Sequence, residues 1–526
     1  MTLLLLVMLR CSALRQAGGL VRQRVRLSST LPHVADEASL RRRDEPYTRA
    51  ITRSGRRGEW RRAIALLDAL ERRHAVVSVR AGTAALVACD RAGCGRGLGG
   101  APRWAEAQEI LGRRSFAPDA FTYTTALRCL GRASRPDDVA ALFEEAVARG
   151  LADDARVRDA AAVALARGGR FSEARAVLTE GTAGLGASGR RRTAWLRRSR
   201  RRFDALSAEA FPGAGDDPAT RALEVALGDA ATWGTMPCFG DEIARKGYAR
   251  LHLAPRAQKV ADAFFCAEDA WLRLAVARVV LYQETCRVLS LGGGPGGDYA
   301  ALATLADYAG GDYLDNRPAP TRHQRPSAKV RCDVVDYEPG WAACVEALAS
   351  VMPGGHRGAF HTGDITVPLD AKANAVVKER ADTADVFIAS YVVAENAVSL
   401  RASEYVFIRD LFKAAQPGAL FLFAETTHRL WPEILQCALD VLEGPVPISL
   451  PTNLPGRSGS TMILQKGGGG APDARALPPD HPYALLIERF VDDNAAHERR
   501  LERDRDRGAR TSGRSPWRGD RARLAE

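Results

Sequence analysis

The chain has 526 residues, more than one hydrophobic core usually serves, so at least two domains are expected. Apolar residues make up 46% and charged residues 26%, which excludes a fibrous or wholly disordered chain. The net charge of +12 is uneven: residues 1–202 hold 39 Arg, no Lys and 20 acids, and the rest sums to about −7, so one half is built to meet polyanions and the other is not.

Residues 1–35 open with the apolar run Leu3 to Met8, too short to span a bilayer, and continue with five arginines before the first acid, Asp36. An Arg-rich, acid-free, Ser-containing leader predicts an organellar targeting peptide, mitochondrial in preference to plastid. Ten cysteines show no CxxC pair and no His at ligand spacing, so they are expected as reduced, mostly buried thiols and no metal site is expected.

Across residues 45–185 four segments align, with small or apolar anchors at Ala63, Ala107, Val139 and Ala174. A period near 35 residues predicts a stacked array of helical hairpins, each pairing this helix with a preceding one such as Phe121 to Leu130. The longer first interval is absorbed by a loop, Gly93 to Gly100. The stretch from Ala117 through Leu151 resembles one pentatricopeptide repeat, and its neighbours are looser copies. That resemblance implies a surface that reads single-stranded RNA, with Thr124 (Thr48 in the first unit) and Asp153 or Asp154 as base readers. A protein-binding scaffold is the alternative.

Eight arginines fall among the thirteen residues from Arg190 to Arg202, with Trp195 between them. Residues 186–204 are therefore expected as an Arg-rich linker, and Arg190, Arg191, Arg192, Arg197 and Arg198 as contacts for RNA phosphates.

Residues 205–470 predict an α/β domain with a helical entry. Arg287 to Leu291 reads as a strand, Gly292-Gly-Gly294-Pro-Gly296-Gly297-Asp298 as a glycine-rich turn, and Tyr299 to Ala309 as a helix, the arrangement that lets backbone amides approach a ligand closely. A second strand ends at Asp336, a third precedes Asp364, a fourth runs into Ser390-Tyr391, and a fifth follows Gln416-Pro-Gly418. This series, closed by a hairpin over 447–465, resembles the class I methyltransferases that use S-adenosylmethionine; the same loop fits a dinucleotide pattern less well. The resemblance implies Gly292, Gly294, Gly296, Asp298, Asp336, Asp364 and Ser390 as cofactor contacts, and Tyr391, Glu395 and His428 as candidate substrate residues. Two departures stand out: Ser290 occupies a position where the family commonly has an acid, and an insertion follows at 310–329. The segment after strand four lacks the motifs of exocyclic-amine and cytosine-C5 methylation.

Residues 471–526 are charged and lack sustained apolar periodicity, so a frayed helix and disorder are expected. The fold class is thus a multi-domain chain: an all-α helical-hairpin repeat array followed by a doubly wound α/β methyltransferase-like sheet. The function expected is methylation of organellar RNA delivered by the repeats. The alternatives are a non-catalytic RNA-processing or ribosome-assembly factor and a small-molecule methyltransferase with a protein-docking array.

Overall fold

A computed structural model of the protein describes residues 36–92, 103–113, 115–178, 189–214, 217–233, 239–309, 328–425, 427–451, 461–467 and 473–511. The expected targeting segment, the loop 93–100, nearly all of the insertion 310–329 and the turn 455–459 lie outside these residues. The chain divides into two compact units, residues 1–129 and 130–526.

The first unit is helical: α1 (Glu37–Arg56), α2 (Trp60–Arg73), α3 (Val79–Ala92), α4 (Trp104–Leu111) and α5 (Ala120–Arg132). Asp36 caps α1 by accepting the Ala38 amide at 3.3 Å, and Leu40, Thr48 and Ile51 recur on its buried face. Helix α1 packs on α2 and α3, and α3 on α4. Asp44 is fully buried; its carboxylate accepts the Ser78 amide and the Arg43 Nε, each at 2.7 Å.

The second unit continues with α6 (Pro136–Ala148), α7 (Ala155–Arg167) and α8 (Phe171–Val177). The four segments aligned by sequence are α2, α4, α6 and α8. They begin alike: Glu59, Arg103, Arg135 and Arg170 cap them with ψ of 58°, 67°, 67° and 61°. The carbonyls of these caps accept the amides of Ala63, Ala107, Val139 and Ala174 at 3.0, 3.1, 3.0 and 2.9 Å. All four anchors are buried.

Residues 189–204, expected as a linker, form most of a helix, α9 (Gly189–Ala210). The arginines conceal an inward stripe of Trp195, Ser199, Phe203 and Leu206, all buried at helical spacing. Trp195 stacks on Phe265 at 4.4 Å and donates its indole N–H to Asp262 at 2.6 Å. The entry to the sheet comprises α10 (Pro218–Trp233), α11 (Glu242–Phe265) and α12 (Ala270–Val276), the last continued by a π-turn, Ala277–Leu281.

Seven strands follow: β1 (Thr285–Leu291), β2 (Lys329–Asp336), β3 (Arg357–Thr362), β4 (Val386–Ser390), β5 (Leu420–Ala424), β6 (Ile448–Ser449) and β7 (Thr461–Gln465). Their order is β3-β2-β1-β4-β5-β7-β6, parallel except for β7, which runs antiparallel to β5 and β6. The terminal hairpin expected from sequence is therefore present. Strands β4 and β5 are buried at every residue, the pattern of a parallel sheet covered on both faces. The helices after β1 are α13 (Gly297–Ala309), α14 (Trp341–Val351), α15 (Ala375–Ala381), α16 (Ala397–Ala402), α17 (Val406–Ala414) and α18 (Trp431–Val441). Phe387 stacks on Phe421 at 4.7 Å, and Phe423 is buried beside them, so this aromatic alternation is core.

The tail read as mostly disordered contains a 30-residue helix, α19 (Pro482–Thr511). Its first turns dock: the Tyr483 hydroxyl donates to Asp269 at 2.6 Å, and Phe490 is buried. Among the described residues no helix is long and apolar enough to cross a membrane, and none of their His, Cys, Asp and Glu cluster in a way that could hold a metal ion. The seven described cysteines are all buried.

Candidate functional site

The strand order reverses between β1 and β4, and at such a switch point a crevice opens beyond the carboxyl ends of the parallel strands. The residues ending β1, β2, β3, β4 and β5 there are the glycine turn, Asp336, the Gly363-Asp364 corner, Ser390-Tyr391 and Glu425. The resemblance implies site residues at all but the last of these positions.

The glycine turn has left-handed backbone at Gly292 (φ 62°), Gly294 (φ 48°) and Gly296 (φ 89°). A Cβ at Gly292 would stand 2.2 Å from Val392 Cγ2, so only glycine fits. The turn is pinned to β2: Gly293 N–H donates to the Val335 carbonyl at 3.1 Å, and Gly294 N–H donates to Asp336 Oδ2 at 3.1 Å. Asp336 Oδ1 accepts the Glu338 amide at 3.2 Å. Burial raises the Asp336 carboxyl to about 6 against these amide bonds. The first carboxylate thus turns toward the glycine hairpin.

Ser290 stands where an acid was expected, and its hydroxyl donates to Asp298 Oδ2 at 2.7 Å. Ser390 donates to Asp298 Oδ1, also at 2.7 Å. Asp298, 1% exposed in the first turn of α13, is held by a hydroxyl from each of β1 and β4. Burial raises it to about 6.

Asp364 is half-buried beyond β3, where one oxygen accepts the Thr366 amide at 2.8 Å and hydroxyl at 2.6 Å. The preceding Gly363 donates its amide to the Asp336 carbonyl at 3.0 Å, which brings this corner beside Asp336.

Tyr391 has the left-handed φ of 61°, uncommon for an aromatic residue and a form of strain that collects at functional sites. Its amide donates to the Ala424 carbonyl at 2.7 Å. Over its ring lie Arg256 at 4.3 Å and Lys259 at 5.0 Å, both from α11. Glu425 is buried; its Oε1 accepts the amides of Val393 at 2.7 Å and Ala394 at 3.1 Å, and burial raises it to about 7. Glu395 is raised to about 8 by burial, although Arg256 pulls it down. Lys259 donates to the Glu425 carbonyl, and burial lowers it to about 8.

Sequence reasoning missed Arg256, Lys259 and Glu425. The available signal was the spacing Tyr248, His252, Arg256, Lys259, one face of α11, with the Tyr248 and His252 rings 4.4 Å apart. This helix roofs the site: its backbone at Leu253 and Ala257 lies 3.8 Å from where a Cβ on Gly297 would stand.

His428 is not brought into the cluster. Its Nε2 lies 2.8 Å from Asp493, and its ring stacks on Phe490 at 4.3 Å, so it holds α19. Thr124 is 2% exposed and its hydroxyl donates to the Ala120 carbonyl at 2.7 Å, which turns it inward; the Thr48 hydroxyl donates to the Asp44 carbonyl at 3.0 Å, and Thr48 lines a groove of the first unit. Asp153 is exposed, while Asp154 caps α7 through the Arg156 amide at 2.8 Å. Arg197 and Arg198 are exposed on α9, Arg198 lying 5.1 Å over Tyr308, and Arg192 is half-buried. The side chains of Arg190 and Arg191 lie outside the described residues.

The first unit carries a groove of about 370 Å³ along α1 and α3, lined by Arg41, Arg56, Arg80 and Arg91 with Thr52 and the exposed Phe121.

Asp298, Asp336, Glu395 and Glu425 all bind protons more tightly in the folded chain than in the unfolded one. Between about pH 4 and pH 8 the folded state therefore holds the excess protons, and stability falls as pH rises. Above pH 8 the depressed Lys259 has the opposite sign. Thermal scans of the cofactor-free chain should show a midpoint that declines from pH 5 to pH 8; a flat or rising profile would contradict the buried cluster.

No family model and no curated protein matches the chain. Solved structures that align with part of it include a methyltransferase dependent on S-adenosylmethionine from Methanosarcina mazei, at 13% identity and TM-score 0.24 over 35% of this chain and 94% of that one. Others are an rRNA methylase from Streptococcus thermophilus, at 12% identity and TM-score 0.24 over 37% and 94%, and a methyltransferase-like protein from Methanococcus maripaludis, at 13% identity and TM-score 0.26 over 44% and 97%.

Proposed function

We propose that the protein is an S-adenosylmethionine-dependent methyltransferase. The observation that carries this reading is the convergence of the glycine turn, Asp336 and Asp298 at one carboxyl-terminal sheet edge, with Asp336 bonded to the turn itself. These residues fit the cofactor chemically. Asp336 can accept from ribose hydroxyls, Asp364 adjoins it for the adenine side, and Asp298 offers a buried negative charge to the cationic methionine end. The bound cofactor would supply a methyl group on a sulfonium, transferred by in-line displacement.

What this chain contributes is placement and charge. Holding a nucleophile collinear with the methyl group in a desolvated crevice accounts for most of such an acceleration. A base is needed only if the nucleophile arrives protonated. Glu395, raised by burial to about 8, and Glu425 beside Tyr391, raised to about 7, are the groups we assign to that proton exchange. Calorimetric titration of the full chain with S-adenosylmethionine should give one site, tighter at pH 8 than at pH 5 as the carboxyls ionise. Absence of binding at both pH values would sink the enzymatic reading and favour a non-catalytic assembly or processing factor.

The acceptor we assign is RNA, presented by pentatricopeptide-like repeats in an organelle. The shared cap geometry of α2, α4, α6 and α8 supports repetition, and the arginine-lined groove supports a polyanion. Replacing Arg56 and Arg80 together with Gln should weaken binding of a single-stranded oligoribonucleotide by about tenfold at low salt and flatten its salt dependence. Unchanged affinity and salt slope would instead favour a protein-docking scaffold.

A further inference from the structure

At the opposite end of the sheet the second unit contains a different cleft, of about 340 Å³, between α8, α12 and the end of β7. Arg175 of α8 and Arg278 of the π-turn both line it, together with Ser172, Trp271 and Gln465. Arg175 donates to Gln465 Oε1 at 3.3 Å; Gln465 Nε2 and Arg278 Nη2 donate to the Gly418 carbonyl at 3.1 and 3.2 Å. Gly418 precedes β5, which places the cleft away from the glycine turn.

The donors here exceed the acceptors. Arg175 Nε and Trp271 Nε1 are buried without a hydrogen-bond partner, and Trp271 is only 5% exposed. No carboxylate is among the described residues that line the cleft. Burial and the nearby Arg278 hold Arg175 below its ordinary value, as expected of two guanidiniums facing one space without a counter-charge. Buried donors without an acceptor are costly, and two guanidiniums facing one space repel; an oxyanion relieves both at once. A planar guanidinium fork matches a phosphate bidentately, and an indole N–H and a hydroxyl add neutral donors.

We propose that this cleft is a phosphate-binding site, separate from the methyl-transfer crevice and independent of the reading of that crevice. The ligand class is a phosphate group, whether free, on a nucleotide or within an RNA backbone. The test uses the full chain with inorganic phosphate at constant ionic strength, followed by calorimetry and by the thermal midpoint. Phosphate should bind and raise the midpoint where chloride does not. Arg278→Gln, at an exposed side chain, should raise the Kd for phosphate at least tenfold, and Trp271→Phe, which keeps the ring and removes the N–H, about threefold. A 5′-nucleoside monophosphate and a short oligoribonucleotide, titrated against wild type and Arg278→Gln, identify the source by which of them depends on Arg278. Lack of any phosphate response, or equal affinities in wild type and Arg278→Gln, would overturn the proposal.

Discussion

Replacing Asp336 with Ala should raise the Kd for S-adenosylmethionine by at least about 100-fold. The carboxylate's Oδ2 fixes the Gly294 amide and its Oδ1 the Glu338 amide, so its removal unpins the glycine turn and deletes the acceptor proposed for the ribose. Hydrogen bonds to charged groups contribute about 1.5–3 kcal/mol each, and loss of one or two spans the expected factor. Asp336→Asn keeps the shape and one acceptor and should lose only about tenfold. Since burial sets this carboxyl near 6, wild-type affinity should also decline as pH drops below that value. Calorimetry on the three proteins at pH 8 and pH 5 provides the measurement; an alanine variant that binds like wild type would remove Asp336 from the site.

The second large effect is on stability. Gly292→Ala is expected to destabilise the sheet-bearing unit by about 2–5 kcal/mol: about 1–2 for forcing an alanine into left-handed backbone, and about 1–3 for driving its methyl into Val392. The two contributions separate. Adding Val392→Ala should recover the packing part and leave the backbone part, so the double variant should lie between wild type and the single in urea unfolding. A single variant as stable as wild type would mean that the turn is not held in this conformation.

Much of the crevice was legible because it is built from local pattern. A strand running into glycines, and acids after successive strands, carry the resemblance, and the structure joins Asp336 to the glycine turn and Ser390 to Asp298. Arg256 and Lys259 were not legible, since their role depends on where α11 crosses the sheet, a tertiary fact that no window around them contains. Glu425 was overlooked because a strand-final acid carries no mark of the two amides that point at it. Within residues 186–204, expected as an Arg-rich linker, the helix was hidden for a different reason: eight arginines obscure the period formed by Trp195, Phe203 and Leu206, although a solvated helix face carries such charge without difficulty. Thr124 illustrates the limit of a motif, which fixed the residue type but not the direction of its hydroxyl.

The fit of Val392 against Gly292 has one more implication. Val392 is the immediate neighbour of the strained Tyr391 and packs where a Cβ on Gly292 would stand, while Ser390 on the other side of Tyr391 bonds Asp298, so the glycine turn and the segment after β4 are joined at two points. Under the proposed function, a ligand that shifts one of these segments shifts the other, and by thermodynamic reciprocity the two affinities would then change by the same factor.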